Sequence, residues 1–519
     1  MMTPGKSIAG AMGLVMLALL SWPCWSQDMS SSSTQESSTS HNGKQTYRWR
    51  SSNLTTDFNI EMRGKIELTD DDKDIKSISD DGYLEISKTV FGSRRSIVIE
   101  SLGDGRVKKE YYEGRSKMDW EPNGKAWLAE ILPEVVRTST IGAESRVKRF
   151  FNKGGTSAVL SEIGNLENDH VRSHYGNLLM KYPVQTKDYP AIINTLSNDI
   201  DSDHYIAGFL SNHVTKFIQH NDARVAAFGA TRKMGSDHYK TQVISQLLKG
   251  AVTPENLKLA LQAAGEMDSD HYKTQIITQA LKGSQTSPEN IKLTLQAAAN
   301  MDSDHYITQV ITALIDQNNL SDAALSEAIN ATKALESDHY RTEVLTKAMN
   351  KPGISEASHR RVVESVKEME SDHYITQVIM HLMDDKISDG ALTNLLDILN
   401  SIESDHYRTE ILKRIIDRQE LNEAQFSKIL EASADMGSDH YKRVVLKEAL
   451  SSAVSNNTFL QILNSSTQID SDHYLSEVLL SAASKVKSGS SEMKNAYRVA
   501  AKSISSETYY GRVLRAIEQ

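Results

Sequence analysis

Cysteine is all but missing from this 519-residue chain. Only Cys24 is present, so neither an intramolecular disulfide framework nor a cysteine zinc site can hold the fold. Proline is scarce, with 9 residues, about 2% against an average near 5%. Apolar side chains are modest at 39%, and no apolar run approaches the roughly 20 residues of a membrane-spanning helix. Positive charge is in deficit: 58 basic against 68 acidic residues give a net charge of −10, which argues against nucleic acid or an anionic membrane as the main partner. Gly-x-Ser-x-Gly, Gly-x-x-x-x-Gly-Lys and Gly-x-Gly-x-x-Gly after a strand are missing too, so no catalytic, cofactor-binding or metal-ligating residue is nominated. Few helix breakers with limited apolar content point to regular helices, each half wet.

What is present begins with the pattern of an export signal. Lys6 is a positive start, Ile8 to Leu20 is a short apolar run, and Cys24-Trp25-Ser26 puts small residues at a cleavage site before Gln27. Residues 1–26 are therefore expected to be a signal peptide cut after Ser26, and the mature chain to be periplasmic or extracellular without a membrane span. Residues 27–46, rich in Ser and Thr and without apolar periodicity, read as a flexible linker. From Tyr47 apolar positions alternate, through Phe58, Ile60, Met62, Ile66 and Leu68, then Leu84 and Ile86, then Ile97 and Ile99. Turn residues separate these runs at Asp81-Gly82, Gly92-Ser93 and Glu113-Gly114. That predicts a small antiparallel β meander over 47–118. Helical spacing at Trp127, Leu128, Ile131 and Leu132 predicts a helical connector and cap over 119–167. The run Asp70-Asp71-Asp72-Lys73-Asp74 departs from a calcium loop, with Ile75 and Asp81 where Gly and Glu belong, and reads as a solvated hairpin loop.

After residue 167 a repeat takes over. Ser-Asp-His-Tyr occurs nine times, starting at Ser202, Ser236, Ser269, Ser303, Ser337, Ser371, Ser404, Ser438 and Ser471. The period is nearly constant at about 34 residues, a length typical of stacked helical repeats. Degenerate copies at Asn168-Asp169-His170-Val171 and Ser506-Glu507-Thr508-Tyr509 extend the register to ten units and a half. Within the copy at Ser236, Tyr239, Val243, Ile244, Leu247 and Leu248 form one helical stripe. Thr253-Pro254-Glu255 then starts a second helix, with Leu257, Ala260, Leu261, Ala264 and Met267 on its apolar side. One such pair cannot bury both stripes, whereas stacked pairs can, so residues 168–519 are predicted to be an α-solenoid of about ten two-helix repeats, making the chain mainly α.

The motif reads first as structure. A catalytic centre needs one asymmetric constellation; a residue recurring in nine units answers a need recurring in nine units. On that reading the serines (Ser202, Ser236, Ser303) cap helix N-termini through their side chains, and the aspartates (Asp203, Asp237, Asp304) favour the positive end of the helix dipole. The tyrosines (Tyr205, Tyr239, Tyr306) start the apolar stripe and pack between units. The histidines (His204, His238, His305) are expected to be neutral rings bonded to backbone or to an Asp of an adjacent unit. Weak metal binding and a repetitive ligand along the ladder stay open as alternatives. The other seven histidines share no spacing, although His170 and His174 are one helical turn apart. All of the −10 lies on residues 153–519, which suits a protein or peptide partner of basic character.

The aliphatic stripes resemble HEAT-type hairpins, since the Trp, Leu-Gly and Tyr positions of tetratricopeptide repeats are absent. The order of parts is similar to something narrower. An exported β meander, the helix Trp127-Leu128-Ala129-Glu130-Ile131-Leu132-Pro133-Glu134 and units opening with Ser-Asp-His-Tyr resemble the extracytoplasmic region of receptor-type membrane metallopeptidases related to β-lactam sensor antirepressors. The resemblance spans about residues 47–519. The peptidase part is not there: no His-Glu-x-x-His occurs, so no catalytic residue carries over. The expectation is a non-enzymatic, exported repeat scaffold binding a protein or peptide in the cell envelope. An extracytoplasmic sensor acting in trans is one alternative. A hydrolase or metal-binding protein using the His/Asp ladder is another; it would show itself in one unit departing from the rest by extra polar groups on its inner stripe, and no such unit is evident in the pattern.

Overall fold

The computed structural model describes residues 33–41, 44–103, 105–249, 253–282, 287–453 and 455–518. The expected signal peptide and the start of the linker lie outside the described residues. The chain divides into two units, Met1–Leu178 and Leu179–Gln519.

In the first unit the alternating segments form nine strands: β1 (Ser33–His41), β2 (Lys44–Ser52), β3 (Thr56–Arg63), β4 (Ile66–Leu68), β5 (Ile75–Ile78), β6 (Tyr83–Val90), β7 (Ser93–Gly103), β8 (Arg106–Glu113) and β9 (Ser116–Met118). Seven make one antiparallel sheet in the order β1-β2-β3-β6-β7-β8-β9, and β4-β5 is a separate hairpin. The single parity running from Phe58 to Leu68 thus belongs to two sheets. The chain breaks at Gly64, whose φ is +82° and where a Cβ would lie 2.4 Å from the Ser79 hydroxyl.

One departure falls on the expected linker. Residues Ser33–His41 pair with β2 from Ser33↔Ser52 to His41↔Lys44. Main-chain hydrogen bonds recruit this stretch to the sheet edge, and they need no apolar side-chain pattern.

The buried face of the sheet carries Trp49, Phe58, Ile60, Leu84, Ile86, Ile97, Ile99 and Tyr111. Onto it packs α1 (Lys125–Thr138) through Trp127, Leu128, Ile131, Leu132, Val135 and Val136. Then come α2 (Ala143–Gly164), interrupted at Gly154-Gly155, and α3 (Asp169–Leu179). The degenerate first copy of the motif opens α3 and so groups with the β domain rather than with the repeats after Leu178.

The acidic hairpin is not a solvated loop throughout. Asp72 accepts from Arg146 Nε at 3.1 Å and Arg149 Nη2 at 2.7 Å, and Asp74 accepts from Lys109 Nζ at 2.7 Å. Arg146, only 3% exposed, also donates to Glu162 at 2.5 Å and to the Tyr175 hydroxyl at 2.5 Å. Asp72 therefore neutralises a covered guanidinium, a need that no local pattern around residue 72 displays.

In the second unit the repeat resolves into stacked helical pairs. First helices open at the motif aspartate: Asp203–Phe217, Asp237–Leu247, Asp270–Leu281, Asp304–Ile315, Asp338–Met349, Asp372–Leu382, Asp405–Arg418, Asp439–Ser452 and Asp472–Lys487. Second helices alternate with them, among them Asn221–Lys233, Pro254–Gly265, Pro288–Ala299 and Asp322–Asn330. First helices contact first helices of neighbouring units and second helices contact second helices, burying both stripes between two layers. Among the described residues no helix is long and apolar enough to cross a membrane.

Buried charge sets two expectations. Arg146→Met should leave Glu162 without its cation and Asp72 with Arg149 alone, and destabilise the first unit by about 3–5 kcal/mol. Denaturant unfolding followed by the fluorescence of Trp49 and Trp127 reads this unit directly. In the second unit His213 sits between Phe209 and Phe217, with ring centroids 5.1 and 6.3 Å away. Burial, with repulsion from Lys216 added, pushes its imidazole down to about 4, against about 6.5 in an unfolded chain. As pH falls through that interval the unfolded chain takes up a proton that the folded ring refuses, so stability drops between about 6.5 and 4 and this loss is complete below. His213→Gln should flatten that part of the pH profile in thermal melts, and an unchanged slope would refute the assignment.

Candidate functional site

The motif sits where each second helix hands over to the next first helix. The serines occupy N-cap positions with extended backbone, yet from Ser202 to Ser438 no side-chain cap bond forms. Only Ser471 reaches a helix N–H, that of Tyr474, at 3.5 Å. Side-chain capping instead serves the second helices, through Thr253, Ser287, Ser321, Ser355, Ser388, Asn422, Ser455 and Ser490.

The serine's contribution is its backbone N–H, and the acceptor is the aspartate one unit earlier. Ser236 N–H donates to Asp203 at 2.7 Å, Ser269 to Asp237 at 2.8 Å, Ser303 to Asp270 at 3.1 Å and Ser337 to Asp304 at 2.7 Å. The bond recurs from Ser371, Ser404, Ser438, Ser471 and Ser506 to Asp338, Asp372, Asp405, Asp439 and Asp472 at 2.7–2.8 Å. In five units the residue before the serine donates to the same carboxylate. The expected side-chain cap and dipole contact are thus replaced by a clamp between units. A carboxylate at a helix N-terminus, itself in the favourable field, ties down the backbone that starts the next helix.

The aromatic half of the motif lies outside. All nine motif histidines are exposed and the tyrosines are half-buried, so from Tyr239 to Tyr474 each tyrosine packs against the preceding unit, as expected, without being enclosed between units. Each imidazole lies 5.1–5.3 Å from its own unit's tyrosine ring. It lies 5.7–6.1 Å from the tyrosine of the next unit. Rings from Tyr205 to Tyr509 therefore form one alternating ladder. The expected partner of histidine, backbone or Asp, is corrected as well. Nδ1 faces the next tyrosine hydroxyl in His204–Tyr239 at 3.2 Å, His373–Tyr407 at 3.3 Å and His238–Tyr272 at 3.5 Å. Nε2 of His305 and His373 meets Gln309 and Gln377, one turn on, at 2.8 and 2.9 Å. The physical reason is position: the aspartate is turned inward to the next backbone, which leaves its neighbour in sequence turned outward.

Among the described residues no three His, Cys, Asp or Glu side chains converge as a metal site. His170 and His174 lie with ring centroids 6.3 Å apart. One residue that the pattern reading missed is His359, the departure a hydrolase reading asked for. It occupies the fourth position after the cap Ser355, where six other capped second helices have Leu257, Ile291, Leu325, Leu392, Phe426 and Phe459, and the one capped by Ser490 has Lys494. It is 7% exposed, with Nε2 3.7 Å from Asp385. Aligning the copies of the second helix would have shown it.

These contacts reorder the expected mutational costs. Asp304→Ala exposes the Ser337 and Glu336 N–H groups and should cost about 1–3 kcal/mol. Ser303→Ala should fall within about 0.5 kcal/mol of wild type, because its main-chain bond survives. Tyr306→Ala should cost less than the roughly 3 kcal/mol of a buried aromatic. Urea unfolding monitored by helical circular dichroism ranks them, and a Ser303→Ala loss matching that of Asp304→Ala would contradict the clamp.

No family model matches the chain, and no curated protein matches it. Among the solved structures that match in part is one described as "Circular tandem repeat protein with novel repeat topology and enhanced subunit contact surfaces". It is 11% identical, covers 77% of this chain and 78% of its own, and has a TM-score of 0.12.

Proposed function

We propose that this chain is an exported, non-enzymatic repeat scaffold of the cell envelope that holds an extended protein or peptide of basic character along the ring ladder. The observation that carries the reading is the exposed histidine. The largely covered position two residues later varies among the nine units: Ile206, Lys240, Lys273, Ile307, Arg341, Ile375, Arg408, Lys442 and Leu475. The exposed histidine does not vary at all. Edge-to-face ring contacts contribute about 0.5–1.5 kcal/mol each, but Phe, Tyr or Trp would supply them as well. An imidazole kept at the surface once per unit answers a requirement met outside the fold, and a repetitive partner imposes such a requirement.

The signal-like segment 1–26 and the resemblance to the extracytoplasmic region of receptor-type membrane metallopeptidases support the envelope placement. The same resemblance supports a second form of the proposal, in which the scaffold is a sensing component acting in trans. The acidic surplus on residues 153–519 supports a basic partner. For the hydrolase alternative His359 is the single observation in favour.

The test compares capture from an envelope extract by the wild-type protein and by His271→Ala/His305→Ala/His339→Ala. Helix content and melting temperature should match, while a partner held by the wild type is lost by the variant. Undiminished capture would refute the ladder as the binding surface. His359→Leu should leave capture unchanged.

A further inference from the structure

Resting on the ladder as a partner surface, we infer that the segment it receives is a polyproline II helix, proline-rich and carrying Lys or Arg, with one left-handed turn seated per repeat.

The first argument is the ladder's period. Packed helices lie about 8–10 Å apart, and the ladder places one imidazole on each first helix. A polyproline II chain rises about 3.1 Å per residue with three residues per turn, about 9.3 Å per turn. Equivalent atoms of such a ligand therefore recur in step with the units, whereas a folded domain would match one or two units and leave the others idle.

The second argument is what the ladder exposes. Each histidine meets two tyrosines with ring planes crossing at 52–77°. Each imidazole is thus flanked by rings on both sides. A sugar stacks on an open face, so a glycan is poorly served. Open to a partner instead are the polar edges these contacts leave over, Nε2 of His204 and His238 and the imidazole nitrogens of His271, His339 and His406, with Gln275 one turn on from His271. These suit backbone carbonyls. A polyproline II helix carries carbonyls with no internal hydrogen bonds, and its preset conformation lowers the ordering cost of lying across many units.

The third argument is charge. One turn on from the histidine three units carry Glu343, Glu410 and Glu477, the last already paired with Arg443 at 2.6 Å. Basic residues of the ligand would meet Glu343 and Glu410, in line with the acidic surplus of residues 153–519.

The test titrates the full chain against fluorescein-labelled Pro-Pro-Lys repeats of about 6, 12 and 18 residues, two to six turns at three residues per turn. Gly-Ser-Lys repeats of equal length and charge and a chitin oligosaccharide are the comparison ligands, all followed by fluorescence anisotropy or competition. The proline repeats should bind, tighten severalfold with each added pair of turns, and weaken about tenfold or more with His305→Ala/His339→Ala at unchanged helix content. Equal binding of Gly-Ser-Lys repeats would mean that charge alone is read and would overturn the polyproline assignment, as would displacement by the oligosaccharide. If the proline repeats do not bind while the triple histidine variant loses its captured partner, the ligand has another shape and only this inference fails. If that variant captures normally, the ladder reading fails with it.

Discussion

From Ser236 to Ser506 the repeat array depends on one hydrogen bond, from the N–H that begins a first helix to the aspartate of the unit before. A helix N-terminus leaves its leading N–H groups without partners inside the helix. The usual remedy is local, a side-chain oxygen at the cap, and the second helices use it. The first helices hand the problem to a neighbour one repeat away. Termination of one helix and attachment of the next unit thereby become the same event. A unit cannot shift along its neighbour without losing the bond that starts its own helix, which is a physical reason for the period to stay so nearly constant.

That clamp sorts the four motif residues by direction. Asp turns inward to the next backbone, Ser supplies the N–H, and at the start of the helix His is left exposed beside a half-buried Tyr. The surface ladder is a geometric by-product of the clamp: once aspartates stack at a fixed spacing, so must the residues beside them. Its chemistry does not follow from the clamp, since the fold needs no imidazole at an exposed site. Fold and surface share four consecutive residues: the Asp side chain and the Ser backbone N–H make the clamp, the tyrosine is half-buried, and the histidine is exposed.

How far the sequence discloses this differs by element. Repeat number, the two helices per unit and the buried stripes are all readable, because a solenoid repeats its local pattern and buries it against copies of itself. The sheet from Phe58 to Tyr111 is readable for the same reason, with period two in place of the helical one. What escapes is contact between residues distant in sequence and polar in character. The partner of Asp203 is a backbone group at Ser236, which no side-chain pattern marks. The acidic run at 70–74 reads as a surface loop because Arg146, the charge it answers, lies far along the chain on α2. Residues 33–41 join the sheet by main-chain pairing alone, and Ser and Thr there carry no apolar signal.

The copies also show which interaction in the clamp is essential. Four units follow the tyrosine with a basic side chain that pairs with their own aspartate: Lys240, Lys273, Arg341 and Lys442, at 3.3–3.8 Å. Arg341 goes further, donating to the Leu335 carbonyl of its own unit's opening and the Glu368 carbonyl of the next, both at 2.6 Å. Units with Ile206, Ile307, Ile375 or Leu475 at that position have no such cation, yet their aspartates hold the next serine N–H at 2.7–2.8 Å, no longer than the 2.7–3.1 Å of the paired units. An ion pair that comes and goes while the hydrogen bond keeps its length is an accessory. The charge of the aspartate is balanced first by the N–H groups aimed at it, including the field of its own helix terminus. The array therefore accepts either an aliphatic or a basic side chain beneath the ladder, while the aspartate that makes the clamp stays the same in every full copy of the motif.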